Sequence, residues 1–102
     1  MKKILVIGAG RSAFTLIRYL LNESISNNWK VIVADYNLDL AKKICLEHVN
    51  ARPIFFNVND KEQREYEIKN SDIVVSMLPA NLHSLVANDC ILFQKNLVTA
   101  SY

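Results

Sequence analysis

Two glycines and one acid are the residues of this chain whose types and spacing can do chemistry together. Gly8, Gly10 and Ala13 stand in the order G-x-G-x-x-A, directly after the apolar run Lys3–Ile7. This is a form of the dinucleotide fingerprint, in which a buried strand turns sharply into a helix. Gly8 permits the tight turn. Gly10 has no side chain to keep a pyrophosphate off the backbone, and Ala13 is small enough for the helix to lie close on the strand. Arg11, Ser12 and Ala13 then open a helix whose free N–H groups and positive dipole end favour phosphate. Such glycine spacings also arise by chance, so the motif gains weight only from the residues downstream of it.

The fingerprint calls for an acid at the end of the second strand, about 20 residues beyond the glycines. Asp35 follows Val31-Ile32-Val33-Ala34 at that place, slightly late because of the polar stretch Asn22–Asn28. A carboxylate there accepts hydrogen bonds from both adenosine ribose hydroxyls and repels a 2′-phosphate. No Arg or Lys lies between Tyr36 and Ala41 to offset it, so the expected cofactor is NAD rather than NADP. Two features lean the other way. Ala13 occupies the third glycine position, and Arg11 can reach either the pyrophosphate or a 2′-phosphate. The acid outweighs them because its charge directly opposes the phosphate.

Further candidates lie at strand ends. Asp35-Tyr36 ends the second strand, and Asn57 and Val58 end the third, where the adenine edge lies. Ser76-Met77-Leu78-Pro79 ends the fourth, so the backbone of Met77, Leu78 and Pro79 should line the cofactor. Pro79 also sets the turn into the next helix. His83, in the first turn of that helix, carries an imidazole, a group that can serve as a general acid or base, although a structural role is the plainer reading. His48, Cys45 and Cys90 read as packing residues. No Ser/His/Asp or Cys/His arrangement can be built from spacing, and no metal cluster is visible.

The elements that must position these residues alternate between short apolar runs and helical patterns, the signature of repeated βαβ units and a parallel sheet. The runs are Lys3–Ile7, Lys30–Asp35, Pro53–Val58, Asp72–Leu78 and Asn96–Ala100, with little polar alternation, as in strands covered on both faces. Ala13, Leu16, Ile17, Leu20 and Leu21 form one apolar stripe at helical spacing. The pattern predicts a helix over Ser12–Glu23, about 18 Å long, with Asn22–Asn28 as a connection. Asn37 can cap a second helix running through His48, with Asp39 in its first turn. Asn59 or Asp60 can cap a third, where Glu62 or Gln63 completes a capping box. That third helix is nearly all polar apart from Tyr66 and Ile68, which places it on the sheet margin. The fourth carries Leu82, Leu85, Val86, Cys90 and Phe93 on one face. Crossovers with a reversal after the third strand give a Rossmann-type doubly wound parallel α/β sheet of order 3-2-1-4-5.

At 102 residues the chain holds one domain at most, a dinucleotide-binding domain spanning 1–102. A full dinucleotide fold expects a sixth strand and an oxidoreductase a second domain, so the chain reads as a fragment of a larger two-domain enzyme, truncated before both. Apolar residues make up 51% and charged residues 22%, as in ordinary globular proteins. A net charge of +2 without a basic block argues against nucleic acid. No apolar stretch approaches a membrane span. Met1-Lys2-Lys3 resembles the charged start of a signal peptide, but the apolar run after it is too short. Two cysteines without metal or redox spacing suggest a reducing compartment, and the expected location is cytoplasmic.

The chain resembles the cofactor-binding half of saccharopine dehydrogenases, including saccharopine reductase, over essentially its whole length. The resemblance rests on Gly8-Ala9-Gly10 with Arg11, on Asn57-Val58-Asn59-Asp60, on Asp72 through Pro79 with His83, and on Leu97 through Tyr102. It implies hydride transfer between saccharopine, a secondary amine, and a nicotinamide cofactor in lysine metabolism, and the likeness is greatest to the glutamate-forming branch. It also implies that Ser101 and Tyr102 reach the small-molecule amino-acid substrate, and that the glycine loop, Asp35, Asn57, Val58, Leu78 and Pro79 hold the dinucleotide. NADP-dependent relatives end the second strand in a Cys-Arg pair that grips the 2′-phosphate. Here that place reads Asp35-Tyr36, which again implies NAD. Family members commonly carry an aromatic after the proline, where this chain has Ala80-Asn81, so the substrate stays open. Carboxynorspermidine dehydrogenases share this module, and a non-catalytic NAD-sensing regulatory module opens the same way. A homodimer of the full-length enzyme also stays open, and the chain alone is expected to bind cofactor without turnover.

Overall fold

Each of the five apolar runs forms a strand, and every pairing between them is parallel. The computed structural model describes residues 1–99. Strands β1 (Lys2–Ile7), β2 (Trp29–Asp35), β3 (Ala51–Phe55), β4 (Ile73–Ser76) and β5 (Asn96–Thr99) alternate with helices α1 (Arg11–Asn27), α2 (Leu38–Cys45), α3 (Lys61–Lys69) and α4 (Ala80–Leu92). The strand order is β3-β2-β1-β4-β5, as the apolar pattern predicts. β1 lies at the centre with four consecutive buried residues, Ile4–Ile7, because helices cover both its faces.

Alternation along β1 divides the core in two. Ile4 and Val6 join Val31 and Val33 on one face, against Ala13, Ile17 and Leu21 of α1 and Ala41, Ile44 and Cys45 of α2. Leu5 and Ile7 join Ile32 and Val74 on the other, against Ile68 of α3 and Val86 and Cys90 of α4. The apolar stripe of α1 is therefore real, and burying each of its large side chains contributes about 1.5–3 kcal/mol.

Several boundaries differ from the sequence expectation, each for a local reason. α1 continues past Glu23 to Asn27 and closes at Asn28, which adopts the left-handed conformation (φ 59°). Its added residues include Ser24, fully buried, whose hydroxyl donates to Leu21 O and accepts from Asn50 Nδ2 at 3.1 Å. A polar stretch is thus helical because one of its residues is satisfied inward. α2 stops at Cys45, where Leu46 and Glu47 take positive φ, so His48 falls in a turn and its Nδ1 accepts from Asn50 N. β3 ends at Phe55 because its partner ends opposite, at Asp35, which leaves Asn57 and Val58 in the loop beyond the strand. β4 ends at Ser76 because β1 ends opposite it, at Ile7. Pro53 is accommodated because β3 is an edge strand.

Candidate functional site

The carboxyl ends of β1, β2 and β4 meet at the turn after β1. Gly8 has φ +106°, a conformation other residues rarely adopt, and a Cβ on it would lie 3.2 Å from Met77 Cβ. Gly8 N donates to Ala34 O and Met77 N donates to Ile7 O, both at 2.8 Å, so the turn is held between β2 and β4. Gly10 behaves differently. Its φ of −73° is open to any residue, and a Cβ there would meet nothing within 4 Å. The fold does not require a glycine at position 10, and the bare backbone faces open space. Gly10 is also the N-cap of α1, whose first turn has no side-chain cap. Unlike α2 and α3, which Asn37 and Asp60 cap through Leu40 N and Gln63 N, α1 keeps the N–H groups of Arg11 and Ser12 available, while Ala13 N donates to Gly10 O at 3.0 Å. Arg11 and Ser12 are exposed there, and Ala13 is buried against the sheet as its size predicts.

Asp35 stands where the fingerprint calls for an acid, but its carboxylate is turned into the loop. One oxygen accepts from Ala9 N at 2.7 Å and the other from Asn37 N at 2.8 Å. It ties the glycine turn to the start of α2. Tyr36, beside it, is mostly exposed and tilts against Phe55, with ring centroids 5.3 Å apart.

Two cavities flank this junction. The first, about 450 Å³, is lined by Ile7, Gly8, Ala34, Asp35, Tyr36, Phe56, Asn57, Val58, Asn59, Leu78 and Leu82. It brings together six of the positions picked out in the sequence, from β1, β2, the loop after β3 and the loop after β4. The second, also about 450 Å³, lies between α1 and α2 and is lined by Ala9, Gly10, Arg11, Phe14, Leu40, Lys43 and Ile44. It brings two cations, Arg11 and Lys43, to the other side of the glycine turn. Sequence reasoning missed Lys43 because it lies just past the segment after β2. The signal was its helical spacing from Leu40, which puts both on one side of α2.

At the end of β4, Met77 packs on Gly8, Leu78 lines the first cavity, and Pro79 is the N-cap of α4. His83 Nδ1 lies 3.0 Å from the hydroxyl of buried Ser76, which tethers the first turn of α4 to β4. Both cysteines are free and buried, and burial pushes the Cys90 thiol up to about 11. Among the described residues no group of acids, histidines and cysteines could hold a metal, and no helix is long and apolar enough to cross a membrane. Ser101 and Tyr102 lie outside the described residues.

The loop after β3 is stitched by α3. Gln63 Nε2 donates to Phe55 O at 2.6 Å while its Oε1 accepts from Asn57 N at 3.1 Å. Only half of the capping box expected at this helix start forms: Asp60 accepts from Gln63 N, but the Gln63 side chain reaches past the cap to the strand end. Arg64 Nη1 donates to Val58 O at 2.7 Å, and Arg64 Nε pairs with Asp89 of α4. Nothing in a nearly all-polar segment singled out Arg64 as a buried residue.

Comparison with known proteins bears on this geometry. Residues 4–102 match the family described as the saccharopine dehydrogenase NADP binding domain. The chain is 32% identical over 101 residues to the saccharopine dehydrogenase [NADP(+), L-glutamate-forming] of Pyricularia oryzae, covering 99% of this chain and 22% of that protein. It is 34% identical over 103 residues to the mitochondrial alpha-aminoadipic semialdehyde synthase of Bos taurus, covering 99% of this chain and 11% of that protein. The apo saccharopine dehydrogenase (L-Glu forming) of Saccharomyces cerevisiae superimposes with a TM-score of 0.87 at 25% identity, over 100% of this chain and 22% of that one. The chain thus spans a small part of these relatives' length.

These findings correct the expected cofactor. The matching domain is described as NADP binding, and the Pyricularia relative is named for NADP, so the expectation of NAD is overturned. The physical reason is in the site. Asp35 lines the first cavity, but each of its oxygens also accepts a main-chain N–H group, which partly offsets the charge that would oppose a 2′-phosphate. Two cations line the neighbouring cavity from outside the segment between Tyr36 and Ala41. With its strand order, glycine turn and matched length in agreement, the chain belongs to the family of saccharopine dehydrogenase NADP-binding domains.

Proposed function

We propose that this chain binds NADP across the carboxyl end of its sheet, as the cofactor domain of a saccharopine dehydrogenase-like oxidoreductase. The observation that carries the reading is Gly10: an uncapped helix start whose one bare backbone position faces open space the fold does not need. The N–H groups of Arg11 and Ser12 receive the pyrophosphate. The adenosine half lies along Asp35 and Tyr36 toward Asn57 and Val58, and the nicotinamide half crosses Met77, Leu78 and Pro79. Arg11 and Lys43 offer the positive charge a 2′-phosphate requires, in place of the Cys-Arg pair of NADP-dependent relatives. When bound, the cofactor supplies hydride transfer, while the protein supplies binding, orientation and electrostatics. By resemblance, the substrate of the larger enzyme is saccharopine, reached by Ser101 and Tyr102.

Titration calorimetry of the chain with NADP and with NAD tests this reading. The expected result is NADP binding at least tenfold tighter, about 1.4 kcal/mol. Replacing Arg11 and Lys43 together by alanine should remove that preference and leave NAD affinity nearly unchanged. Binding of neither dinucleotide, or a preference for NAD, would overturn it.

A further inference from the structure

α3 contributes one large apolar residue, Ile68, to the core, yet it buries Arg64 (7% exposed). The Arg64 guanidinium is shared between Asp89, itself 6% exposed, and the carbonyl of Val58. A buried ion pair is a weak source of stability, since desolvating two charges offsets much of their attraction. Its placement needs another reason, and the third partner supplies it. Val58 lines the first cavity, and its carbonyl would otherwise lack this donor.

The rest of the loop is fixed in the same way. Gln63 bridges Phe55 O and Asn57 N, Asn57 Oδ1 accepts from Asn59 N at 3.0 Å, and Asp60 N donates to Asn57 O at 2.9 Å. The backbone from Phe55 to Asp60 is therefore held from behind, by side chains of α3 that do not line the cavity. Asp89 orients Arg64 and reaches it from α4, so both helices on this face set where the loop stands.

We infer that Arg64, oriented by Asp89 and assisted by Gln63, is a positioning residue for the adenine side of the cofactor cleft. The inference rests on the NADP reading above. Arg64 touches no ligand. It fixes Asn57 and Val58 before binding, so ordering them does not weaken affinity when the ligand arrives.

The test compares wild type with Gln63→Ala, Arg64→Lys and the paired apolar swap Arg64→Met with Asp89→Leu. Affinities are measured for NADP and for 2′,5′-ADP, a ligand that reaches only the adenosine half, alongside each variant's melting temperature. The paired swap removes both charges together, so it should stay folded while weakening both ligands about tenfold. Arg64→Lys keeps a partner for Asp89 but cannot serve Val58 O in the same geometry, so it should weaken both ligands by nearly as much. Gln63→Ala should weaken both about threefold with an unchanged melting temperature. Should the paired swap fail to fold, Gln63→Ala and Arg64→Lys decide. Folded variants that bind both ligands as tightly as wild type would overturn the inference while leaving the NADP reading intact. Wild type that binds neither ligand would remove the NADP reading itself, and this inference with it.

Discussion

The two ends of the candidate cleft are built by different physics. The glycine end is shaped by size: Gly8 fits against Met77, Ala13 lies flat on the sheet, and α1 is held by Ile17 and Leu21 in an apolar layer. The end proposed for adenine is shaped by polar bonds: Gln63 and Arg64 stitch the loop after β3, and Glu67 and Ser71 are buried with them. An end built on size places a backbone tightly wherever small residues occur at the right spacing. An end built on buried polar groups is placed only if every partner is present. The contrast predicts different responses to substitution.

The largest effect is expected at the polar end. Arg64→Ala leaves Asp89 buried without its partner and Val58 O without its donor, and should lower stability by about 3–5 kcal/mol in urea unfolding. Loss of less than about 1 kcal/mol would mean that water replaces the guanidinium, and the polar end would not differ from a surface loop. At the apolar end, Ile17→Ala should cost about 2–5 kcal/mol through lost burial and a residual cavity. It should leave the relative affinities for NADP and NAD unchanged, because α1 moves as a unit. Gly8→Ala comes next, at about 1–3 kcal/mol, since φ +106° is unfavourable for alanine and its methyl would meet Met77. A wild-type melting temperature for that variant would show that the turn relaxes freely.

The smallest expected effect depends on pH and belongs to the polar end alone. Burial holds the Glu67 carboxyl above its ordinary value, with Arg52 and Lys3 partly opposing. A raised folded-state value means that the native state binds the proton more tightly, so Glu67 lowers stability as pH rises through that value. Glu67→Gln should therefore be more stable than wild type at pH 7, and the two should converge below pH 4.5, the ordinary value of the group. A gap that widens on acidification would reverse the sign and contradict the burial argument.

The same contrast explains what could be read from the amino-acid order. The sheet order, the apolar stripe of α1, the caps Asn37 and Asp60, and the Gly8 turn all follow from residue type at fixed spacing, and all are present. What escaped depends on partners far apart in the chain. Ser24 is helical and buried because Asn50 meets it, and Arg64 is interior because Asp89, 25 residues later, pairs with it. The orientation of Asp35 belongs to this second kind. Its position was legible, but its bonds to Ala9 and Asn37 were not, and the cofactor expectation failed there.

Gly10 separates the fold from the ligand more cleanly than any other residue, because the fold leaves its Cβ position empty. The direct measurement is NADP titration of wild type and Gly10→Ala, with the melting temperature of each. A dinucleotide lying over this backbone predicts that Gly10→Ala melts within a few degrees of wild type and binds NADP at least tenfold more weakly. Gly10→Ala that binds NADP as well as wild type would contradict it, and the pyrophosphate would have to rest elsewhere.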